Sequence, residues 1–450
     1  MLKPIKTLCA GLMAGSLMFV AAAPAFAQSK APRLIRDAEI ENTIRAYATP
    51  LFQAAGLNAT DINIYLINDS SLNAFVAGGQ NLFLHTGLLM RSQNANQVIG
   101  VIAHETGHIA GGHLARFQGQ LRNASIVAII AMIVGAGVAA AGGGDLGAAV
   151  ITGGPALAMS QILGYSRAQE SAADQAGMSF LDATGQSAQG LADFFHILEG
   201  QEFLNVGRQD PYMRTHPLTR ERVEVVENHI KASRFSNQPE PPEFDEMHRR
   251  MIAKLTGFLS APSATFARYK EGDTSVEARY ARAVAYYRIP DLPKALPLID
   301  GLIAQEPNNA YFYELKGQML FENGRITEAL APYQKAVALR PEDAPLRIDL
   351  ARTMIERNDA ALNKEAIVHL QRATRREPLN SFAWSQLAIA YGRDNQIGMS
   401  SLAQAEAALS RNNKREAWIQ ATRAQKQFEQ GSRGWLRAQD IITASRQKDG

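Results

Sequence analysis

The sequence predicts a mainly helical α+β fold, in which a small sheet near the N-terminus is followed by a solenoid of helical repeats. Three patterns predict it. Apolar and polar residues alternate over a short early segment, apolar residues recur at helical spacing through most of the chain, and landmarks return at a fixed interval in the C-terminal part. At 450 residues the chain is long enough for two or three domains.

The first 27 residues have the features of a secretory signal peptide. Lys3 and Lys6 precede an apolar run over 8–22, and Ala25-Phe26-Ala27 supplies small residues at the cleavage positions. We expect this segment (1–27) to be removed on export, against the alternative that it stays as a membrane anchor. The single cysteine, Cys9, lies within it, so the exported protein is expected to fold without disulfides.

The charged residues are close to balanced. The chain has 46 basic and 43 acidic residues, with a formal net charge of +3. A nucleic-acid-binding surface needs a clear excess of positive charge. The composition therefore gives no support for nucleic acid as a partner.

Strand and helix patterns follow the signal peptide. Every second residue from Ile62 to Leu66 is apolar, as on a half-buried strand. A Gly78-Gly79 turn separates Phe75-Val76 from Leu82-Phe83-Leu84 and predicts a hairpin or two short strands. Helical spacing covers 34–55, 94–122 and 167–181. A small sheet beside several helices is an α+β arrangement.

A boundary segment separates this region from an almost wholly helical one. Residues 235–246 are rich in proline, glutamate and asparagine and interrupt both periodicities. After about Thr274 nearly everything has helical spacing. We therefore predict a first domain over 28–262, a repeat domain over 263–440 and a tail over 441–450.

Small residues and prolines recur through the second domain at intervals of 34 or 37 residues. This period is typical of tetratricopeptide repeats, in which each unit is a helix pair and the stack forms a concave groove. The pattern is good for three units and weaker after Pro378; a generic helical bundle is the alternative. The landmarks are Ala283, Gly317, Ala351 and Ala388, with Ala295, Ala329 and Ala366, and with Pro307, Pro341 and Pro378.

A histidine pair lies within the predicted helix over 94–122, in the segment His104-Glu105-Thr106-Gly107-His108. Residues four apart on a helix differ by about 40° in direction, so both imidazoles leave from one face. Two neutral ring nitrogens so placed can share a zinc ion, and Glu105 can accept a proton from the metal-bound water. Two surface histidines are the alternative from this pattern alone.

A catalytic zinc also needs a third protein ligand. Glu170 and Asp174 lie four apart on a second predicted helix, so they share a face. We expect Glu170 to bind the metal and Asp174 to accept the ring N–H of a ligand histidine. An ordinary solvated acidic face is the alternative. His113, nine residues after His104 and about 180° around the helix, is interpreted as structural.

With Thr215-His216-Pro217 and Arg222 added, these segments resemble the gluzincin metalloprotease family that includes the HtpX proteases and the CAAX prenyl proteases. The resemblance covers nearly all of the exported chain, and its motif blocks occur in the family's order. It implies a zincin-type protease domain with one Zn²⁺ per chain, bound by His104, His108 and Glu170.

The resemblance implies further roles. Glu105 matches the general base. His216 matches a histidine that can occupy the fourth metal position and keep the enzyme inactive. Arg222 matches an arginine near the site that could stabilise the oxyanion. Asn73-Ala74-Phe75 resembles the family's edge strand, which binds substrate backbone by strand addition; a hairpin without a substrate role is the alternative there.

An apolar insert covers about 123–166, with Asp145 as its one charged residue. The proposed ligands flank it, so a single membrane span would place them on opposite sides. A hairpin of two spans, a segment resting on a membrane surface and helices packed near the cleft stay open, and we favour the last two.

With the export signal and the repeats, the resemblance implies a periplasmic zinc endopeptidase. It would degrade misassembled envelope and outer-membrane proteins and assist their assembly. Its repeat groove would hold protein substrates and the outer-membrane assembly machinery, and the insert allows peripheral contact with a membrane. The alternatives are a chaperone or adaptor with a mostly silent protease site, and a protease embedded in the membrane.

Overall fold

A computed structural model of the chain describes residues 33–78, 80–113, 167–199 and 210–446. The predicted signal peptide (1–27) and the predicted apolar insert (123–166) lie outside these residues. Within the described ranges, no helix combines the length and apolar character that crossing a membrane requires.

Four short strands form one sheet. They are β1 (Arg33–Ile35), β2 (Asn63–Asn68), β3 (Ala74–Ala77) and β4 (Asn81–His85). The strand order is β1-β2-β4-β3, with β2 and β4 parallel and the other pairs antiparallel. β3 is therefore an edge strand, and β3 with β4 forms the predicted hairpin.

The helices around the sheet share one apolar core with it. The largest of its fully buried side chains include Tyr47, Phe52 and Phe195. These helices are α1 (Ala38–Ala54), α2 (Thr86–Arg91), α3 (Ala95–Ala110), α4 (Arg167–Ala183), α5 (Gln189–Leu198), α6 (Pro211–Thr215), α7 (Arg220–Ala232) and α8 (Pro242–Leu259). A short helix, α9 (Pro262–Arg268), follows α8. Because Met251 and Leu255 of α8 are buried in the same core, this helix belongs with the sheet by packing.

Helix α3 is shorter than its sequence pattern suggests. Asn94 caps its first turn by accepting a hydrogen bond from the Gln97 N–H. The helix was expected to continue to about Arg122, but it ends at Ala110. Gly112 follows with φ of +59°, a left-handed conformation that glycine adopts without strain and that commonly terminates helices.

Antiparallel helix pairs fill the rest of the chain, as the repeat period predicts. They are α10 (Val276–Arg288) with α11 (Leu292–Gln305), α12 (Ala310–Glu322) with α13 (Ile326–Leu339), α14 (Ala344–Glu356) with α15 (Ala360–Arg376), α16 (Ser381–Arg393) with α17 (Ile397–Ser410), and α18 (Lys414–Gln425) with α19 (Arg433–Ser445). A Cβ on Gly317 would lie 2.8 Å from the Tyr333 ring, which explains a small residue at this landmark.

The end of the repeat region differs from the predicted tail over 441–450. Helix α19 continues to Ser445, and Ile441 and Ile442 are buried against the preceding helices. Their apolar side chains give residues 441–445 a packing role.

Candidate metal centre

Helix α3 carries the histidine pair into the interior. His104, Glu105 and His108 are fully buried, on a helix whose neighbouring side chains are almost all apolar. Neither ring is a surface histidine, which removes that alternative. Polar groups buried this deeply need partners, and those partners define the site.

Helix α4 crosses α3 at very close range because small residues line both helices. A Cβ on Gly107 would lie 2.6 Å from the Ala173 carbonyl oxygen, and one on Gly177 would lie 3.0 Å from the Ala103 carbonyl carbon. This close approach lets Glu170, in the first turn of α4, reach the imidazoles of α3.

The ligand atoms of these residues converge. His104 Nε2 and His108 Nε2 lie 3.0 Å apart, and the Glu170 carboxylate oxygens lie 3.5 Å and 3.4 Å from them. A tetrahedral zinc with bonds of about 2.0–2.1 Å would hold its ligand atoms about 3.3–3.4 Å apart. The two imidazoles and the carboxylate therefore fit a single divalent ion of this size.

His216 completes a group of four. It follows the short helix α6, and its Nδ1 lies 3.3 Å from His104 Nε2 and 3.1 Å from Glu170 Oε1. Among the described residues, His104, His108, Glu170 and His216 are all buried, and one ligand atom from each lies within 4.8 Å of the others. The arrangement offers four protein ligands, whereas a catalytic zinc site keeps one position for water or substrate.

The surroundings of His108 and Glu170 favour the ionisation states in which these side chains bind a metal ion. Burial lowers the pKa of His108 well below its usual value, so its imidazole is neutral. Burial alone would raise the pKa of Glu170, but His216, His108 and His104 outweigh it and hold that pKa far below the usual range. Glu170 is therefore an anion, as binding of a divalent cation requires. Burial would lower the pKa of His104, but Asp174 outweighs it and raises that pKa, so this ring would release any proton on binding the ion.

Asp174 and Arg222 contact the proposed metal ligands and orient them. Asp174 Oδ1 lies 2.7 Å from His104 Nδ1, the contact that directs the Nε2 lone pair towards the ion. Arg222 donates to both Asp174 oxygens, at 2.6 Å and 2.9 Å. Burial would raise the pKa of Asp174, but the Arg222 and His104 bonds hold it low.

The described contacts of Arg222 are with protein groups around the proposed ligands. Its Nη1 donates to the Pro217 carbonyl at 2.9 Å and lies 2.7 Å from Glu170 Oε2, and its other donors hold Asp174. Each guanidinium nitrogen has a protein acceptor, and through these contacts Arg222 orients Asp174 and Glu170. The expected oxyanion role of Arg222 stays a prediction.

His113 has a partner that the sequence interpretation missed. Its Nδ1 lies 3.0 Å from His108 Nδ1. His113 would lie about 180° around the helix from His104 only if α3 continued to residue 113. The helix ends at Ala110, and a turn follows it. With His113 as the acceptor, His108 keeps its proton on Nδ1 and its Nε2 lone pair for the metal. The glycines at 111 and 112 were the sequence signal for this turn.

Glu105 lies beside the ligands with neither carboxylate oxygen hydrogen-bonded to a described residue. His216 Nε2 is 3.5 Å from Glu105 Oε1. Burial raises the pKa of Glu105, against the smaller lowering effect of His216 and His104. A carboxylate with raised basicity next to a metal centre is suited to exchange protons with water.

Among the described strands, β3 pairs only with β4, so its other edge pairs with no strand. The His85 N–H donates to the Asn73 carbonyl across the β3–β4 pair. In an antiparallel register this places the N–H and C=O groups of Ala74 and Val76 on the open side of β3. The Asn73 carboxamide is fully buried, and neither its oxygen nor its nitrogen has a partner among the described residues.

Comparisons with known proteins agree with this geometry. Residues 35–230 match peptidase family M48, and residues 280–344 match the tetratricopeptide repeat. The chain is 25% identical to the beta-barrel assembly-enhancing protease of Yersinia pestis over 380 residues, which cover 83% of this chain and 76% of that protein. It is 26% identical to the Escherichia coli K12 protein of the same name over 377 residues, with the same coverage. Metalloprotease YcaL of Escherichia coli K12 is 30% identical over 183 residues, 40% of this chain and 66% of that protein.

These matches confirm the predicted family and fold class. The chain is a metalloendopeptidase in which an M48 peptidase domain is followed by tetratricopeptide repeats.

Proposed function

We propose that His104, His108 and Glu170 bind one Zn²⁺ and that Glu105 is the general base of peptide hydrolysis. The observation that carries the proposal is the convergence of two imidazole nitrogens and a carboxylate at separations of 3.0–3.5 Å in a buried site. Nitrogen and carboxylate donors in this number and spacing are typical of catalytic zinc.

When bound, zinc supplies a Lewis acid that lowers the pKa of a coordinated water and polarises the scissile carbonyl. Glu105 accepts the proton from the attacking water and delivers it to the nitrogen of the leaving amine. Its burial next to the ligands raises its pKa, which favours acceptance of the proton in the first step.

His216 is proposed to block this chemistry in the described state. Its imidazole occupies the fourth position of the ligand group, so water and substrate are excluded while it stays there. The enzyme is then silent until His216 leaves.

Substrate is proposed to bind as an added strand along β3. The open groups of Ala74 and Val76 pair with the substrate backbone, and the unpartnered Asn73 carboxamide supplies a further donor and acceptor. This use would account for a buried polar side chain that otherwise costs about 1–3 kcal/mol.

The client class and the compartment are proposals from the relatives' names and from the sequence. The chain acts in the periplasm after cleavage within 1–27, with a peripheral membrane contact through 123–166. It degrades misassembled outer-membrane proteins and assists their assembly, and its repeats hold clients or the assembly machinery. The domain limits proposed are 28–262 for the peptidase and 263–440 for the repeats.

Glu105→Gln in the full chain is the test. We expect client turnover to fall by about 10²–10⁴-fold with zinc content unchanged, because only the proton transfer is lost. Glu328→Gln, on an exposed repeat helix, is the matched control and should behave as wild type. Undiminished turnover in Glu105→Gln would reject the peptidase mechanism and favour the chaperone alternative.

His216→Ala tests the blocked state. We expect faster cleavage of an unstructured peptide at equal zinc content, because the fourth position is vacated. Equal or slower cleavage would show that His216 does not restrain the site.

A further inference from the structure

Tyr212 is a buried residue near the proposed ligands, and the proposed mechanism gives its hydroxyl no role. Its side chain is fully buried, and its hydroxyl has no hydrogen-bond partner among the described residues. Buried hydroxyl groups in native proteins are nearly always paired, since an unpaired one is destabilising. An unpaired phenol at a reaction centre therefore points to a partner that arrives with the substrate.

The ring of Tyr212 lies beside the metal centre. It stacks on the His216 imidazole with centroids 4.4 Å apart and planes 23° apart, and it lies 6.5 Å from the His104 ring. Phe194 packs edge-on against its other side at 5.1 Å. A tyrosine phenol has an ordinary pKa of about 10, so it carries its proton near neutral pH.

The backbone ties Tyr212 to the substrate strand. The Tyr212 N–H donates to the Leu72 carbonyl at 3.4 Å, and the Leu72 N–H donates to Asp210 Oδ1 at 3.1 Å. Leu72 directly precedes Asn73 and the edge strand. Tyr212 is thus anchored beside the substrate strand, whereas His216 lies at the opposite end of the short helix α6.

The reaction needs a hydrogen-bond donor directed at the carbonyl oxygen of the substrate. Attack of water on a peptide carbonyl forms a C–O bond and moves the π electrons to the carbonyl oxygen, which becomes an oxyanion. Hydrogen-bond donors aimed at that oxygen lower the barrier. All the nitrogens of Arg222 are engaged by Asp174, Pro217 and Glu170.

We propose that Tyr212 is a catalytic residue whose hydroxyl donates a hydrogen bond to the carbonyl oxygen of the scissile peptide as it becomes an oxyanion. The inference rests on the proposed function and applies once His216 has left the fourth position. Tyr212 keeps its proton throughout, since Glu105 takes the proton of the water and passes it to the leaving amine.

Asn73 is the competing donor, because its carboxamide is also buried without a partner. Asn73 directly precedes β3, the proposed substrate-binding strand, so we expect it to align the peptide backbone. That contact would stabilise the bound substrate and the transition state equally. Loss of such uniform binding raises KM, whereas loss of an oxyanion donor lowers kcat.

The test is Tyr212→Phe, made in the full chain and again in the His216→Ala background, with zinc loaded. We expect kcat to fall by about 10²–10³-fold in both backgrounds, with KM changed little, because the ring stays and only the donor is lost. Affinity for a phosphinic peptide that mimics the tetrahedral state, measured by calorimetry, should fall by a similar factor. Zinc content should not change, and Tm should not drop, because the hydroxyl has no partner to lose.

Tyr47→Phe is the matched control. The Tyr47 hydroxyl is buried in the same core but donates to the Phe244 carbonyl at 2.9 Å, so its removal should lower Tm and leave kcat unchanged. Wild-type kcat and phosphinate affinity in Tyr212→Phe would overturn the proposal, as would a lower Tm with lost zinc. Loss of phosphinate affinity in Asn73→Ala with none in Tyr212→Phe would assign the role to Asn73. Failure of the proposed function itself would appear separately, as retained turnover in Glu105→Gln.

Discussion

At the scale of single residues, the sequence predicted the convergence of the proposed ligands and the contact of Asp174 with His104 better than the contacts of Arg222 and His113. Glu105, the histidine pair and Glu170 have defined spacings on helices, so their convergence could be expected from periodicity and from the resemblance. Arg222 was placed at the reacting atoms because its acceptors could not be known from a sequence. The structure shows each guanidinium nitrogen in contact with a protein acceptor, and these acceptors include the carboxylates of Asp174 and Glu170.

Arg222→Lys tests this supporting role. A lysine keeps the charge but cannot donate in a fork to Asp174 while also reaching Glu170. We expect zinc affinity, measured by competition with a chelator, to fall by about 10–100-fold. Arg220→Lys is the control, since Arg220 pairs with Glu224 on the exposed surface two residues away. Equal affinities in the two variants would contradict the role.

At the scale of secondary-structure elements, the types were predictable and some ends were not. The alternation of apolar and polar residues from Ile62 to Leu66 predicted β2. The recurring small residues and prolines predicted the repeat helices. The end of α3 was missed because the apolar spacing continues beyond the glycines that stop it. The close crossing of α3 and α4 was also not predictable, since it depends on small residues in two segments far apart in sequence.

Gly107→Ala tests the crossing. The added Cβ would lie 2.6 Å from the Ala173 carbonyl oxygen, which is backbone and cannot rotate away, so the helices must separate. We expect a loss of stability of about 1–3 kcal/mol in denaturant unfolding, together with weaker zinc binding.

Gly301→Ala is the control for that variant. It lies inside α11, where an added Cβ would meet only the end of the Arg279 side chain at 3.6 Å. Its stability should stay the same or rise, because alanine is the better helix former. A Gly107→Ala protein as stable and as well metallated as this control would show that close helix packing does not set the site.

At the scale of the whole molecule, the peptidase domain and the repeats share a buried charged contact. Ala38, at the start of α1, packs in the repeat core. Lys254 of α8 is fully buried, and its Nζ lies 2.8 Å from Asp37, 3.3 Å from Glu314 and 3.5 Å from Glu39. Burial would lower the pKa of Lys254, but these carboxylates outweigh it and hold that pKa well above its usual value. The pairing joins residues far apart in sequence, so no local pattern could reveal it.

Lys254→Met tests this contact. Removing the cation leaves buried carboxylates without their partner, which typically costs about 3–5 kcal/mol. We expect denaturant unfolding to detect this loss. Lys294→Met, at an exposed pair with Asp291, should change little. If both variants lose the same stability, the buried contact does not hold the two domains together.

The central claim is that α3 and α4 place one zinc ion between His104, His108 and Glu170. Anomalous diffraction at the zinc edge, from crystals of the Glu105→Gln protein, tests it most directly because that variant keeps the ligands and cannot digest itself. The account predicts a single peak within about 2.0–2.2 Å of His104 Nε2, His108 Nε2 and a Glu170 oxygen. A peak elsewhere, or full zinc loading with Glu170 outside bonding distance, would contradict it.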